Sequence, residues 1–150
     1  MTAEEPLSLA LQALGRKERT VAEMGSWLRA RGVGQDEAGT VVDQLLSTGA
    51  LDDRRFARRY AEDKRELKRW GSERIRMALL DRGIAPEDIE AALFDAGGEE
   101  EVERAVCLLR DHGATLADAL ERQKALGLLV RRGYGSEIAY EAVRRARTTR

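Results

Sequence analysis

A six-residue pattern, Leu-x-x-Arg-Gly-apolar, occurs three times in this chain, at Leu28 to Val33, Leu79 to Ile84 and Leu129 to Tyr134, with starts 51 and 50 residues apart. Recurrence at a nearly fixed interval marks tandem modules and narrows the fold more than any compositional figure. The pattern also has a local physical meaning. A glycine just past a helix takes the left-handed conformation that a side chain disfavours, and the next apolar residue folds back onto the leucine inside the helix, as in a Schellman cap. Gly32, Gly83 and Gly133 are therefore expected to end helices, with Arg31, Arg82 and Arg132 at their electronegative ends.

Each capped helix has a readable start and successor. Thr20 and Glu23 have capping-box spacing, and Met24, Trp27 and Leu28 follow on one stripe. Ser72 and Thr115 are the corresponding starts expected in the later copies, with Gly127 weakening the third helix. Past the caps, Ala38, Val41 and Leu45 form one apolar stripe. Pro86 opens a second such helix, carrying Ile89 and Leu93. Ser136 is the expected cap of a third, which carries Ala139, Ala142 and Val143. Helices over about 6–17, 53–69 and 99–111 complete the triplets, the middle one anchored by Phe56, Tyr60 and Leu67. The expected fold is all-α: an elongated array of three tandem three-helix modules spanning 1–49, 50–96 (the basic one) and 97–150.

The side chains available restrict the chemistry. Cys107 and His112 are the sole cysteine and histidine, so they cannot supply a four-residue zinc set or an intrachain disulfide. Phosphate-loop, dinucleotide and metalloprotease signatures are absent. These features point away from an enzyme and from a metal or organic cofactor. With no stretch of 18 apolar residues and no secretory or transit pattern at MTAEEPLSLA, the expectation is a cytoplasmic protein that does not enter membranes.

Charge location turns the architecture into a binding hypothesis. The total is nearly balanced, 26 basic against 27 acidic residues, which disfavours indiscriminate coating of nucleic acid. Residues 54–82 nevertheless hold eleven bases and five acids, and 122–150 hold eight and two, while 83–103 hold eight acids and no base. Arg58, Arg65, Arg69 and Arg76 are the leading candidates for an exposed partner-binding surface, with Arg55, Arg59, Lys68 and Arg74 beside them. Arg58, Arg65 and Arg69 share one side if their helix continues. Solvation and intrahelical pairing are the plainer explanation of the same charges, and Glu62 and Glu66 give it weight.

Residues 51–93 resemble the signature region of the bacterial regulatory protein RecX family. The resemblance rests on Leu51-Asp52-Asp53, Phe56-Ala57, Tyr60, Gly71, Arg74-Ile75 and Leu79-x-x-Arg82-Gly83-Ile84, with related repeats over 20–42 and 104–143. It implies a regulator, chiefly an inhibitor, of the RecA recombinase that enters the groove of the nucleoprotein filament and restrains its growth or activity. The residue matches imply structural work for Asp52 and Asp53 at a helix cap or inter-module turn, packing for Phe56, Ala57 and Tyr60, and helix termination for Leu79, Arg82 and Gly83, with Ile84 a further structural residue. A monomer is expected, with weak contact to single- or double-stranded DNA as an addition. A regulator that competes directly for DNA through phosphate contacts is the alternative.

Overall fold

The computed structural model describes residues 4–148. Among them the chain forms nine α-helices: α1 Glu4–Arg16, α2 Val21–Ala30, α3 Gln35–Ser47, α4 Asp53–Asp63, α5 Ser72–Asp81, α6 Pro86–Leu93, α7 Glu99–Asp111, α8 Ala119–Arg131 and α9 Ser136–Thr148. The fold is all-α and built from repeated three-helix modules, α1–α3, α4–α6 and α7–α9. No helix among the described residues is long and apolar enough to cross a membrane.

All three Leu-x-x-Arg-Gly endings are Schellman caps. Val33, Ile84 and Tyr134 donate their backbone N–H to the carbonyls of Leu28, Leu79 and Leu129 at 3.1, 3.2 and 3.0 Å. The glycines between them have φ of +86°, +82° and +96°. Leu28, Leu79 and Leu129 are fully buried and the residues that fold back on them are nearly so, which makes each cap a piece of core. Gly113 ends α7 in the same way, with Ala114 donating to the Leu109 carbonyl at 3.0 Å.

Several local expectations give way to stronger partners. The helix expected over 53–69 stops being α-helical at Asp63 and widens into a π-helical turn, Lys64–Lys68, that ends on Arg69 at φ +58°. Leu67 is therefore 77% exposed and anchors nothing, while Phe56 is buried and Tyr60 half-buried as expected. Ser72 and Ser136 are first helical residues and not caps. The carbonyls before them, on Gly71 and Gly135, accept the first helical bonds from Ile75 and Ala139. The third capped helix starts at Asp118, whose side chain accepts the Glu121 N–H, instead of at Thr115, and it runs unbroken through Gly127.

The chain packs as two compact units, one made of Met1–Arg59 with Leu79–Ala92 and the other of Tyr60–Ala78 with Leu93–Arg150. The helices of the middle repeat contribute to both. In the first unit, Ala10, Met24, Leu28, Val33, Ala38, Val41, Leu45 and Leu51 form the core. Here the Arg82–Gly83 cap of α5 lies on the start of α2. Thr20, fully buried, donates its hydroxyl to the Arg82 carbonyl at 2.9 Å and accepts the Glu23 N–H at 3.1 Å. Asp53 accepts the N–H of Val21, the first residue of α2, at 2.9 Å, and Asp52 caps its own helix through the Arg55 N–H.

The second unit repeats this joint with different side chains. The Arg132–Gly133 cap of α8 lies on the start of α5: Gly71 and Glu73 donate to the Arg132 and Gly133 carbonyls at 2.7 and 2.9 Å. Glu101 takes the place of Asp53, accepting the N–H of Ser72 at 3.1 Å. In both units, then, a module's central helix ends on the start of the preceding module's central helix, and a carboxylate from the later module accepts the first helical N–H.

Close approach as well as dihedral angle excludes a side chain at Gly83. An added Cβ would stand 2.6 Å from the Ala22 Cβ, whereas at Gly32 it would meet nothing within 4 Å. Gly32→Ala is expected to cost about 1–2 kcal/mol, the left-handed penalty alone. Gly83→Ala should cost about 1–3 kcal/mol more through the clash, and Gly83→Val more again. Urea unfolding of the three variants checks the order. Equal losses at the two glycines would remove the close approach from the account.

Candidate partner-binding surface

Once the modules are folded, few of the cations proposed from sequence stay uncommitted. In the first unit, Arg55 is half-buried between Glu18 and Asp52 at 3.9 and 4.0 Å, and Arg59 lies 3.8 Å from Glu18. Arg58 is exposed and has no ion-pair partner among the described residues. In the second unit, Arg69 pairs with Asp111 at 2.9 Å and Arg76 with Glu73 at 2.6 Å. Arg74 lies over the Trp70 ring at 4.2 Å and donates to the Arg131 carbonyl. Lys68 is exposed and its ammonium has no ion-pair partner among the described residues.

Arg65 departs most from the expectation of an exposed cation. Its Nε and Nη2 are buried without a hydrogen-bond partner, as is the Nε of Arg104. Burial first and the neighbouring Arg104 charge second push its pKa down, against the pull of Glu101, Asp95 and Glu100. The side shared by Arg58, Arg65 and Arg69 depended on an unbroken α-helix. The π-helical turn removes that condition, and Arg58 belongs to one unit while Arg65 and Arg69 belong to the other.

The turn itself is firmly held, which sequence reasoning missed. Arg132 donates to the Lys68 carbonyl at 3.0 Å, the Tyr134 hydroxyl donates to the Arg69 carbonyl at 3.3 Å, and Trp70 N–H bonds the Lys64 carbonyl at 3.1 Å. Lys64 sits 4.9 Å from the Trp70 ring centre. These bonds fix a non-glycine residue in the left-handed region and present Leu67 and Lys68 to solvent from a rigid base. Tyr134 is buried beneath, and burial pushes its phenol pKa up.

Arg82, a residue of the sequence signature, works inside the first joint. Its guanidinium makes two bonds to Glu23, both at 2.9 Å, and lies 4.5 Å from the Phe56 ring centre. Burial pushes the Glu23 carboxyl up, but the bonds from Arg82 and the Thr20 N–H outweigh it and hold the pKa below the ordinary value. Asp53 goes the other way. Burial raises its pKa, the Val21 N–H opposes that rise, and Asp88, Asp52 and Glu23 add to it. Among the described residues no group of His, Cys, Asp and Glu is placed to hold a metal ion.

This arrangement defines a class: all-α proteins of tandem three-helix modules, jointed at glycine-ended helices, with their residual cations on the outside. The family model described as RecX, second three-helix domain, matches residues 52–93. A regulatory protein RecX of Thermus thermophilus is 34% identical over 142 residues, covering 95% of this chain and 92% of its own. That of Mycolicibacterium vanbaalenii is 32% identical over 151 residues, covering 93% and 81%. The crystal structure of RecX from Lactobacillus salivarius superposes with a TM-score of 0.85 at 20% identity, covering 96% of both chains. The chain belongs to the RecX family of regulatory proteins.

Acid titration isolates the Glu23–Arg82 contact. Because folding lowers the Glu23 pKa, its contribution is fully present above the unfolded value of about 4.3 and is lost as pH falls through the lower folded value. Wild type should exceed Glu23→Gln in stability at neutral pH, and the gap should close in acid. A gap of constant size across urea unfolding series at several pH values would contradict the assignment.

Proposed function

We propose that this chain regulates the RecA recombinase by binding in the groove of its nucleoprotein filament and restraining filament extension, ATP hydrolysis or strand exchange. Family membership supports the RecA-regulatory role. The observation that carries the groove reading is a backbone joint within each unit and an uncommitted cation on the outside of each, Arg58 on the first and Lys68 on the second. Surfaces with few free charges suit a composite partner of protein and phosphate better than an indiscriminate polyanion contact. The modules span 1–49, 50–96 and 97–150 in this reading, and the protein acts in the cytoplasm by binding, without a cofactor. Arg55, Arg59, Arg69, Arg74 and Arg76 hold the surface in shape through their internal pairs and stacks, and Arg65 through its burial. Direct competition for DNA is the second reading, favoured by the concentration of bases in 54–82 and 122–150.

Binding to preassembled RecA filaments at fixed salt, with ATPase and filament length followed together, separates the two. Groove regulation predicts a filament-bound species and reduced ATPase that persist when free DNA is added in excess. Loss of inhibition in proportion to capture by free DNA, with no filament-bound species, would establish the competitor instead. Arg58→Glu with Lys68→Glu should weaken filament binding about tenfold or more with helical content unchanged.

A further inference from the structure

The joint that appears twice within the chain leaves one unused half in the first module and one in the last. The used caps, Arg82–Gly83 and Arg132–Gly133, each have a carbonyl bonded to the start of another module's helix and a glycine whose added Cβ would strike that helix. The third cap, Arg31–Gly32, has the same Schellman bonds and the same positive φ. Among the described residues it meets no such helix: the space around Gly32 is open, Arg31 and Gly32 are exposed, and the Arg31 guanidinium lies on its own helix's Trp27 at 3.9 Å.

The complementary half is at the start of α8. Asp118 caps the helix at 2.8 Å and Glu121 occupies the third helical position, the relation Thr20 bears to Glu23. Glu121 bends back to accept the Ala117 N–H and the Thr115 hydroxyl through Oε2, as Glu23 bends back to the Thr20 N–H. Glu23 also binds Arg82, while Glu121 has no ion pair among the described residues. A cavity of about 440 Å³ lies beside Glu121, walled by His112, Thr115, Lys124, Leu128 and Arg131. The first joint has a corresponding cavity, walled by Lys17, Arg19, Glu23, Trp27, Arg82 and Gly83.

We propose that the Arg31–Gly32 cap of one copy of this chain docks on the Asp118–Glu121 start of α8 in a second copy, forming between molecules the joint that each molecule already makes within itself. Arg31 pairs with Glu121 as Arg82 pairs with Glu23. Around that pair the charges are complementary. Asp36 and Glu37, exposed in the first turn of α3, put negative charge on the side of the cap, and Lys124 and Arg131, exposed at the cavity beside Glu121, put positive charge on the other. The two patches differ, so the contact is heterologous and each bound pair keeps one free half of each kind or closes into a ring. Two positions depart from the first joint. Leu120, 65% exposed, stands where α2 has Ala22 and supplies the apolar contact that the cap covers. Asp118, whose carboxylate only accepts, stands where Thr20 donates its hydroxyl, so that the Asp118 N–H takes the role of the Gly71 N–H at the second joint. The exposed, polar character of both patches makes the contact weak, so the dilute chain stays monomeric.

Sedimentation velocity of the full chain, without nucleic acid or other proteins, tests this up to about millimolar concentration, where weak contacts are populated. Wild type should sediment faster as concentration rises. Arg31→Glu and Glu121→Arg should each weaken that association at least about fivefold, and the double reversal should restore it. As a check independent of charge, the Cys107→Ser chain carrying Arg31→Cys should form disulfide-linked dimers with the Cys107→Ser chain carrying Glu121→Cys, faster than with one carrying Arg110→Cys, an exposed position of α7. Sedimentation independent of concentration in wild type, single reversals that associate like wild type, or equal cross-linking rates would each overturn the proposal.

Discussion

Everything in this fold depends on a helix ending abruptly enough for another helix to start against it. A Schellman cap turns the chain within one residue, and the glycine at that turn lets backbone meet backbone. At the first joint this brings the Arg82 carbonyl within 2.9 Å of the Thr20 hydroxyl, and at the second it brings the Arg132 carbonyl within 2.7 Å of the Gly71 N–H. Helix starts carry unsatisfied donors and helix ends unsatisfied acceptors, so stacking one on the other satisfies both sets without a large apolar interface. That economy suits a chain with 35% charged and only 5% aromatic residues.

The caps were legible because their causes are local. Leucine, arginine, glycine and an apolar residue within six positions determine the backbone bonds between Leu28 and Val33 or between Leu79 and Ile84, and the interval between copies reveals the repeat. The partners of those caps were not legible. Asp53 bonds Val21 across 32 residues, and Glu101 bonds Ser72 across 29, and nothing in the acidic run Glu99–Glu101 marks its third member as the buried one. The π-helical turn was hidden for a related reason: Lys64, Glu66, Leu67 and Lys68 are all good α-helix formers, and bonds from Arg132 and Tyr134, more than 60 residues away, help to hold the wider turn and the left-handed Arg69.

The candidate surface was read less well than the fold because composition counts charges and folding commits them. Arg55, Arg59, Arg69 and Arg76 are paired, Arg74 is stacked and Arg65 is partly buried, so a region holding eleven bases presents far fewer free ones. The signature residues behave in the same way. Asp53, Phe56 and Arg82 meet at the first joint, where they hold modules together. A sequence signature here records the joint more than the contact with a partner, and a binding surface must be sought among the residues the joints leave over.

Hydrogen exchange at single amides addresses the joints directly. The N–H groups of Val21, Gly71, Ser72 and Glu73 stand at helix starts, where exchange is ordinarily fast, yet here each is bonded to another module. If the joints weld the modules, these four amides exchange slowly and in step with the core amides of the unit that contains them. Exchange of all four at the rate of open helix starts, while core amides such as Leu28 and Leu129 remain protected, would mean that the modules fold separately and the joints contribute nothing.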